Sequence, residues 1–97
     1  MTTDDDRFDE INKLRVSIDN FDSALIHLLA ERYRVTRQVG VIKKEKNLPP
    51  SSPDREAEQA KRWRALAAKS GLDPDFAERL LNFIVSDVIE NHKDLRK

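Results

Sequence analysis

The chain contains no cysteine, which removes both a disulfide framework and a thiolate metal site. It has only two glycines, Gly40 and Gly71, and no glycine-rich phosphate loop. Aromatic residues make up 6% against 37% charged residues, a balance that suits long amphipathic helices better than a sheet. No apolar run approaches the ~18–20 residues of a membrane span. The stretch from Met1 to Asp9 is acidic and lacks an apolar core, so it does not read as a secretory signal. Lys+Arg and Asp+Glu are both 18. This neutrality argues against a nucleic-acid role resting on overall charge, leaving only local patches. Ninety-seven residues make one domain, and a soluble cytoplasmic protein is the default.

What the chain does have is a long uninterrupted pattern from about Asp9 to Asn47. It holds one glycine, Gly40, and no proline before Pro49. Steps of three and four pick out Ile11, Leu14, Ile18, Phe21, Leu25, Leu28, Arg32, Val35, Val39 and Ile42. This is a heptad seam, the signature of a long helix packing lengthwise on other helices. A helix of about 39 residues would be roughly 58 Å long, against a radius of gyration of about 12–13 Å for a compact domain of this size. The remaining chain cannot cover it. Either the helix breaks, with Gly40 the candidate point, or it pairs with a second copy. Pairing is favoured, hence an obligate homodimer.

Three cations interrupt that oily face. Arg32 occupies a seam position, and Arg15 and Lys43 sit one residue past Leu14 and Ile42. Burying cations in a helix interface is costly unless something anionic meets them. An arginine in a seam also serves to fix register or to pair with a carboxylate across a dimer, and Arg15 and Lys43 taken singly read as snorkelling edge residues. As a set they point further. Arg15 and Lys43 are about 42 Å apart along a straight helix, too far to share one small ligand. In an antiparallel dimer, Arg15 of one chain approaches Arg32 and Lys43 of the other, giving two equivalent sites.

Residues 1–8 read as a disordered tail, and 9–97 as the helical domain. The run from Asn47 to Pro53 holds three prolines and ends the first helix. Ser52 then reads as an N-cap, with Pro53 opening a second helix to about Lys69. Its apolar face is thin: Ala57, Ala60, Trp63, Leu66 and Ala67. Trp63 reads as its packing anchor, and Arg55 and Glu56 taken alone as surface charge. Gly71 is the expected left-handed cap. Asp73 and Pro74 start a third helix to about Lys93, with an apolar stripe through Phe76/Ala77, Leu80/Leu81, Ile84/Val85 and Val88 that His92 extends. A partly exposed histidine near a fraying end is the plainer reading of His92. His27 falls beside the seam and carries no expected role. The fold class is therefore all-α, three helices per chain in an intertwined homodimer. Two distant histidines are weak evidence for metal. No metal set, no cofactor and no nucleophile–base pair is expected.

From the residues alone the ligand is a small polyanion, most simply a dicarboxylate, held by buried cations with bidentate arginines. Chemistry then comes from positioning and electrostatics. The runs Leu14–Asp22, Leu28–Arg32, Val39–Lys43, Pro53–Glu56 and Gly71–Asp73, in this order and spacing, resemble the all-helical chorismate mutases from Ile11 to about His92. The resemblance implies a three-helix intertwined dimer and a cofactor-free pericyclic rearrangement of chorismate to prephenate. Arg15 would bind a carboxylate in the partner's site and Arg32 the other carboxylate. Lys43 would hydrogen-bond the ether oxygen as charge develops there. Arg55 and Glu56 would sit at the loop and second helix, Glu56 near the ring hydroxyl. Three positions depart from the family pattern: Ser52 stands for an Asp, Val88 for a carboxylate-binding Ser, and His92 for a Gln that donates to the ether oxygen. His92 can still donate from a ring nitrogen.

Three readings follow. The first is chorismate mutase. The second is an isochorismate pyruvate-lyase or amino-deoxychorismate mutase of the same fold, motivated by the changes at Ser52, Val88 and His92. The third is a non-catalytic or partner-activated helical binding module, since some small members of the family are activated by docking onto another shikimate-pathway enzyme. The retained Arg15, Arg32 and Lys43 speak against a decayed site, where apolar replacements would be more stable.

Overall fold

The computed structural model describes residues 3–97, with side chains from Arg7 onward. Among these residues there are three α-helices and no strand: α1 Thr3–Glu45, α2 Pro53–Ser70 and α3 Pro74–Asp94. Helix α1 starts at Thr3, ahead of the expected Asp9, so the proposed tail from residue 3 on is helical; Met1 and Thr2 lie outside the described residues. An acidic run at residues 4–6 is what a helix N-terminus favours. The helix does not break at Gly40 but continues to Glu45.

Helix α1 ends where the backbone turns left-handed at Asn47, φ 56°. The Leu48 amide donates to the Lys43 carbonyl at 2.8 Å and the Asn47 amide to Lys44 at 3.2 Å. This is a Schellman closure, with asparagine where glycine is commoner. The same closure ends α2, where Gly71 has φ 78°. There the Leu72 amide donates to Ala67 at 2.9 Å. Asp73 caps α3 as expected, its Oδ1 accepting from the Asp75 amide at 3.0 Å.

The chain divides into two compact units, Met1–Arg34 and Val35–Lys97. In the described part of the first unit, the seam residues Ile11, Leu14, Ile18, Phe21, Leu25 and Leu28 are all exposed, Phe21 by 72%. Glu31 pairs with Arg34 along the helix surface.

The second unit holds the end of α1, α2 and α3. Its buried apolar residues are Ala67 of α2 and Ala77, Leu81 and Ile84 of α3. Leu81 is 1% exposed, worth about 1.5–3 kcal/mol for a side chain of that size. The α3 stripe is narrower than its sequence suggests, because Phe76 and Leu80 remain exposed. Trp63 is half-buried. Arg64 of α2 bridges to Asp75 at 2.8 Å and Glu78 at 3.1 Å on α3. Hydrogen bonds to Asp75 and then Glu78 push its pKa up. No helix among the described residues is long and apolar enough to cross a membrane.

Candidate functional site

The proline-rich connection between α1 and α2 organises the second unit's polar groups. Pro50 has no amide hydrogen to donate, but its carbonyl accepts from the Lys43 ammonium at 3.1 Å. The next residue, Ser51, donates its hydroxyl to Glu56 Oε2 at 2.9 Å. The next, Ser52, donates its backbone amide to the same oxygen at 2.9 Å. Three consecutive residues thus hold one cation and one carboxylate. Lys43, Ser51, Ser52 and Glu56 are all half-buried, where charge-assisted bonds of this kind are stronger than neutral ones.

Ser52 occupies the N-cap position of α2, but its side chain makes no capping bond. A contact like the return half of a capping box is made instead, one residue further into the helix than in the usual box. Glu56 reaches back from inside the first turn to the Ser52 amide, satisfying a donor the helix itself cannot. The Glu56 amide in turn donates to the Ser52 carbonyl at 2.9 Å. The carboxylate is therefore held through one oxygen by the two residues that precede its own helix. Arg55, its neighbour in that turn, is exposed.

The C-terminal end of α3 closes over the end of α1. His92 is 4% exposed, so it is not the half-exposed terminal histidine of the plainer reading. Its Nε2 lies 2.9 Å from the Thr36 carbonyl oxygen. A carbonyl only accepts, so Nε2 carries the hydrogen of that bond. Nδ1 is buried, with no hydrogen-bond partner among the described residues. The ring lies against Gly40: a Cβ there would sit 2.5 Å from His92 Cδ2 and 2.9 Å from Leu95 Cδ1. Val88, one turn before His92 on α3, is half-buried. Arg96 donates to the Leu48 carbonyl and ties the chain's end to the same loop.

Lys43, Ser52, Arg55, Glu56, Val88 and His92 thus all belong to the second unit. Arg15 and Arg32 belong to the first. Arg15 is exposed and donates to Asn12 Oδ1 at 3.4 Å. Arg32 is half-buried on the same helix.

Reading the sequence missed Thr36, Gly40, Pro50 and Ser51 as parts of this arrangement. Ser51 carries no standard signal, since the capping-box pattern sets its glutamate three residues after the N-cap and Glu56 lies four after Ser52. The Thr36 carbonyl and Pro50 carbonyl carry no sequence signal, because every residue has one.

Comparison with known proteins adds the family. The model of the family described as chorismate mutase type II matches residues 14–93. The T-protein of Enterobacter agglomerans is 34% identical over 85 residues, covering 88% of this chain and 23% of that protein. A T-protein of Haemophilus influenzae is 33% identical over 81 residues, covering 84% of this chain and 22% of its own length. A chorismate mutase of Methanocaldococcus jannaschii is 27% identical over 89 residues, with 92% of this chain and 86% of that one aligned. The chain therefore spans under a quarter of the two T-proteins and most of the archaeal enzyme.

Proposed function

The chain belongs to the chorismate mutase type II family, and from that premise we propose that it rearranges chorismate to prephenate. The observation that carries the reading furthest is the paired anchoring of Lys43 and Glu56 by Pro50, Ser51 and Ser52. A pericyclic rearrangement needs no nucleophile. One C–O bond breaks and one C–C bond forms within the same molecule, and no group leaves. The protein has two tasks: to hold a flexible dianion in a chair-like geometry, and to stabilise negative charge on the ether oxygen as its bond to carbon lengthens. Groups fixed before the reaction perform the second task without reorganising during it.

Lys43 is the donor to the ether oxygen. Its ammonium has three donors, one of which is spent on Pro50. Glu56 faces the ring hydroxyl with an acceptor lone pair beyond those used by Ser51 and Ser52. Arg32 binds one substrate carboxylate, Arg15 from a second protomer binds the other, and Arg55 adds positive charge at the loop. Ser52 has a hydroxyl that makes no capping bond and is open to substrate. Val88 offers only apolar contact. No cofactor enters this chemistry.

The quaternary part of the proposal is a homodimer with two shared sites. The exposed seam of α1 supports it. Leu14, Phe21 and Leu28 are each exposed by 66% or more, and such a continuous apolar row finds its complement in an equivalent row.

The test is incubation of the purified chain with chorismate and, separately, with isochorismate, with products separated by chromatography. Prephenate from chorismate is the expected result. Salicylate and pyruvate from isochorismate, without prephenate from chorismate, would move the assignment to a lyase of the same fold. The replacements at Ser52, Val88 and His92 make that second arm worth running.

A further inference from the structure

His92 of α3 lies against Gly40 of α1, so close that a Cβ at Gly40 would meet its ring. We infer that His92 is a positioning residue: its Nε2–H grips the Thr36 carbonyl and thereby fixes the end of α1 that carries Lys43, and the ring does not itself donate to substrate. Thr36, Gly40 and Lys43 follow at steps of four and three, so they share one face of α1. The clamp therefore acts about two turns before the ammonium.

Four features of the structure carry this. The ring is buried, so its orientation is set by packing. Its one hydrogen-bonded nitrogen is already engaged at 2.9 Å with a main-chain oxygen. That oxygen has a second lone pair beyond its ordinary helical bond, so the bond does not open α1, which continues through Gly40 to Glu45. Gly40 supplies the room, since any Cβ there would overlap the ring edge, 2.9 Å from Nε2 itself. A histidine bonded in this way has no Nε2 hydrogen left for a ligand.

The inference rests on the mutase reading only for where its effect on turnover appears; the clamp is tested without turnover. The first measurement is the 15N spectrum of the His92 ring in the intact protein at pH 8, alone and with prephenate added. Expected are a hydrogen-bearing Nε2, a bare Nδ1, and neither signal changed by prephenate. A bare Nε2 in the free protein, or a ring-nitrogen shift on adding prephenate, would overturn the assignment.

The second measurement is kinetic. His92→Leu keeps apolar volume and removes the donor, whereas His92→Gln keeps an amide donor at similar reach. His92→Leu is expected to lower kcat at least tenfold, and His92→Gln to restore most of it. Wild-type turnover in His92→Leu, or no recovery in His92→Gln, would also overturn it. Recovery by Gln alone is equally expected of a donor to substrate, so the ring spectrum separates the two. Should His92→Leu fail to fold, the wild-type spectrum still decides. Should the wild type give no prephenate from chorismate, the mutase reading falls while the free-protein spectrum still decides the clamp.

Discussion

The Lys43 ammonium and the Glu56 carboxylate are held by adjoining residues of one loop, Lys43 by the Pro50 carbonyl and Glu56 by Ser51 and Ser52. The groups have opposite charge and sit on different helices, yet their positions are set by the same short run of backbone. Proline makes that run stiff. Disturbing either anchor therefore disturbs the other.

Lys43→Met should reduce kcat/KM for chorismate by about 100-fold or more, the usual loss when one preorganised donor is removed from a developing oxyanion. The far-UV circular dichroism should be unchanged, because methionine keeps the stem and helix propensity. Turnover within a few-fold of wild type would remove Lys43 from the reaction.

Glu56→Ala strips two hydrogen bonds from the start of α2. Stability should fall by about 1–2 kcal/mol, read from urea unfolding. Hydrogen exchange at the Ser52 amide should accelerate by more than the global loss explains. An unchanged Ser52 exchange rate would mean that the carboxylate is not its acceptor in solution.

The proposed sharing of each site between two copies is tested by a mixing experiment. Arg15→Ala and Lys43→Ala should each be inactive alone. Mixed in equal amounts and allowed to exchange, half the dimers are hybrids with one intact site of two, so about a quarter of wild-type activity should return. No recovery, with hybrids verified by native mass spectrometry, would show that Arg15 and Lys43 do not come from different chains.

Gly40→Ala gives a prediction whose sign carries the information. In an ordinary helix interior the change stabilises by about 1 kcal/mol. Here the added Cβ would meet the His92 ring, so a net loss of about 1–3 kcal/mol is expected from overpacking. A thermal melt shifted upward would mean that the ring does not occupy that space.

Much of this architecture was legible in the sequence because it depends on local rules. The three helices follow from periodicity, and their ends from Gly71, Asp73 and the prolines, whose backbone preferences act wherever they occur. Lys43 was singled out because a cation beside a seam needs an explanation. Ser52 stands at the N-cap of α2 as the sequence suggests, but its side chain makes no capping bond; that Glu56 instead accepts from the Ser52 amide is decided by geometry alone. The exposure of Phe76 and Leu80 was not legible for a related reason. Apolar residues on two adjoining faces of α3 look like one stripe until a neighbour selects between them. The bond from His92 to Thr36 joins a side chain to a main-chain oxygen far away in sequence, and no residue pattern encodes it.

The contact between Gly40 and His92 also bears on how this sequence can change over time. The two positions draw on a single volume, so neither has its own list of tolerated residues. A larger residue at 40 becomes acceptable only after 92 has shrunk or turned away, and a shrunken 92 alone leaves a gap beside the α1 backbone. Each route from the present pair to a swapped one passes through a less stable intermediate. Replacement at these two sites is therefore expected to occur together or not at all.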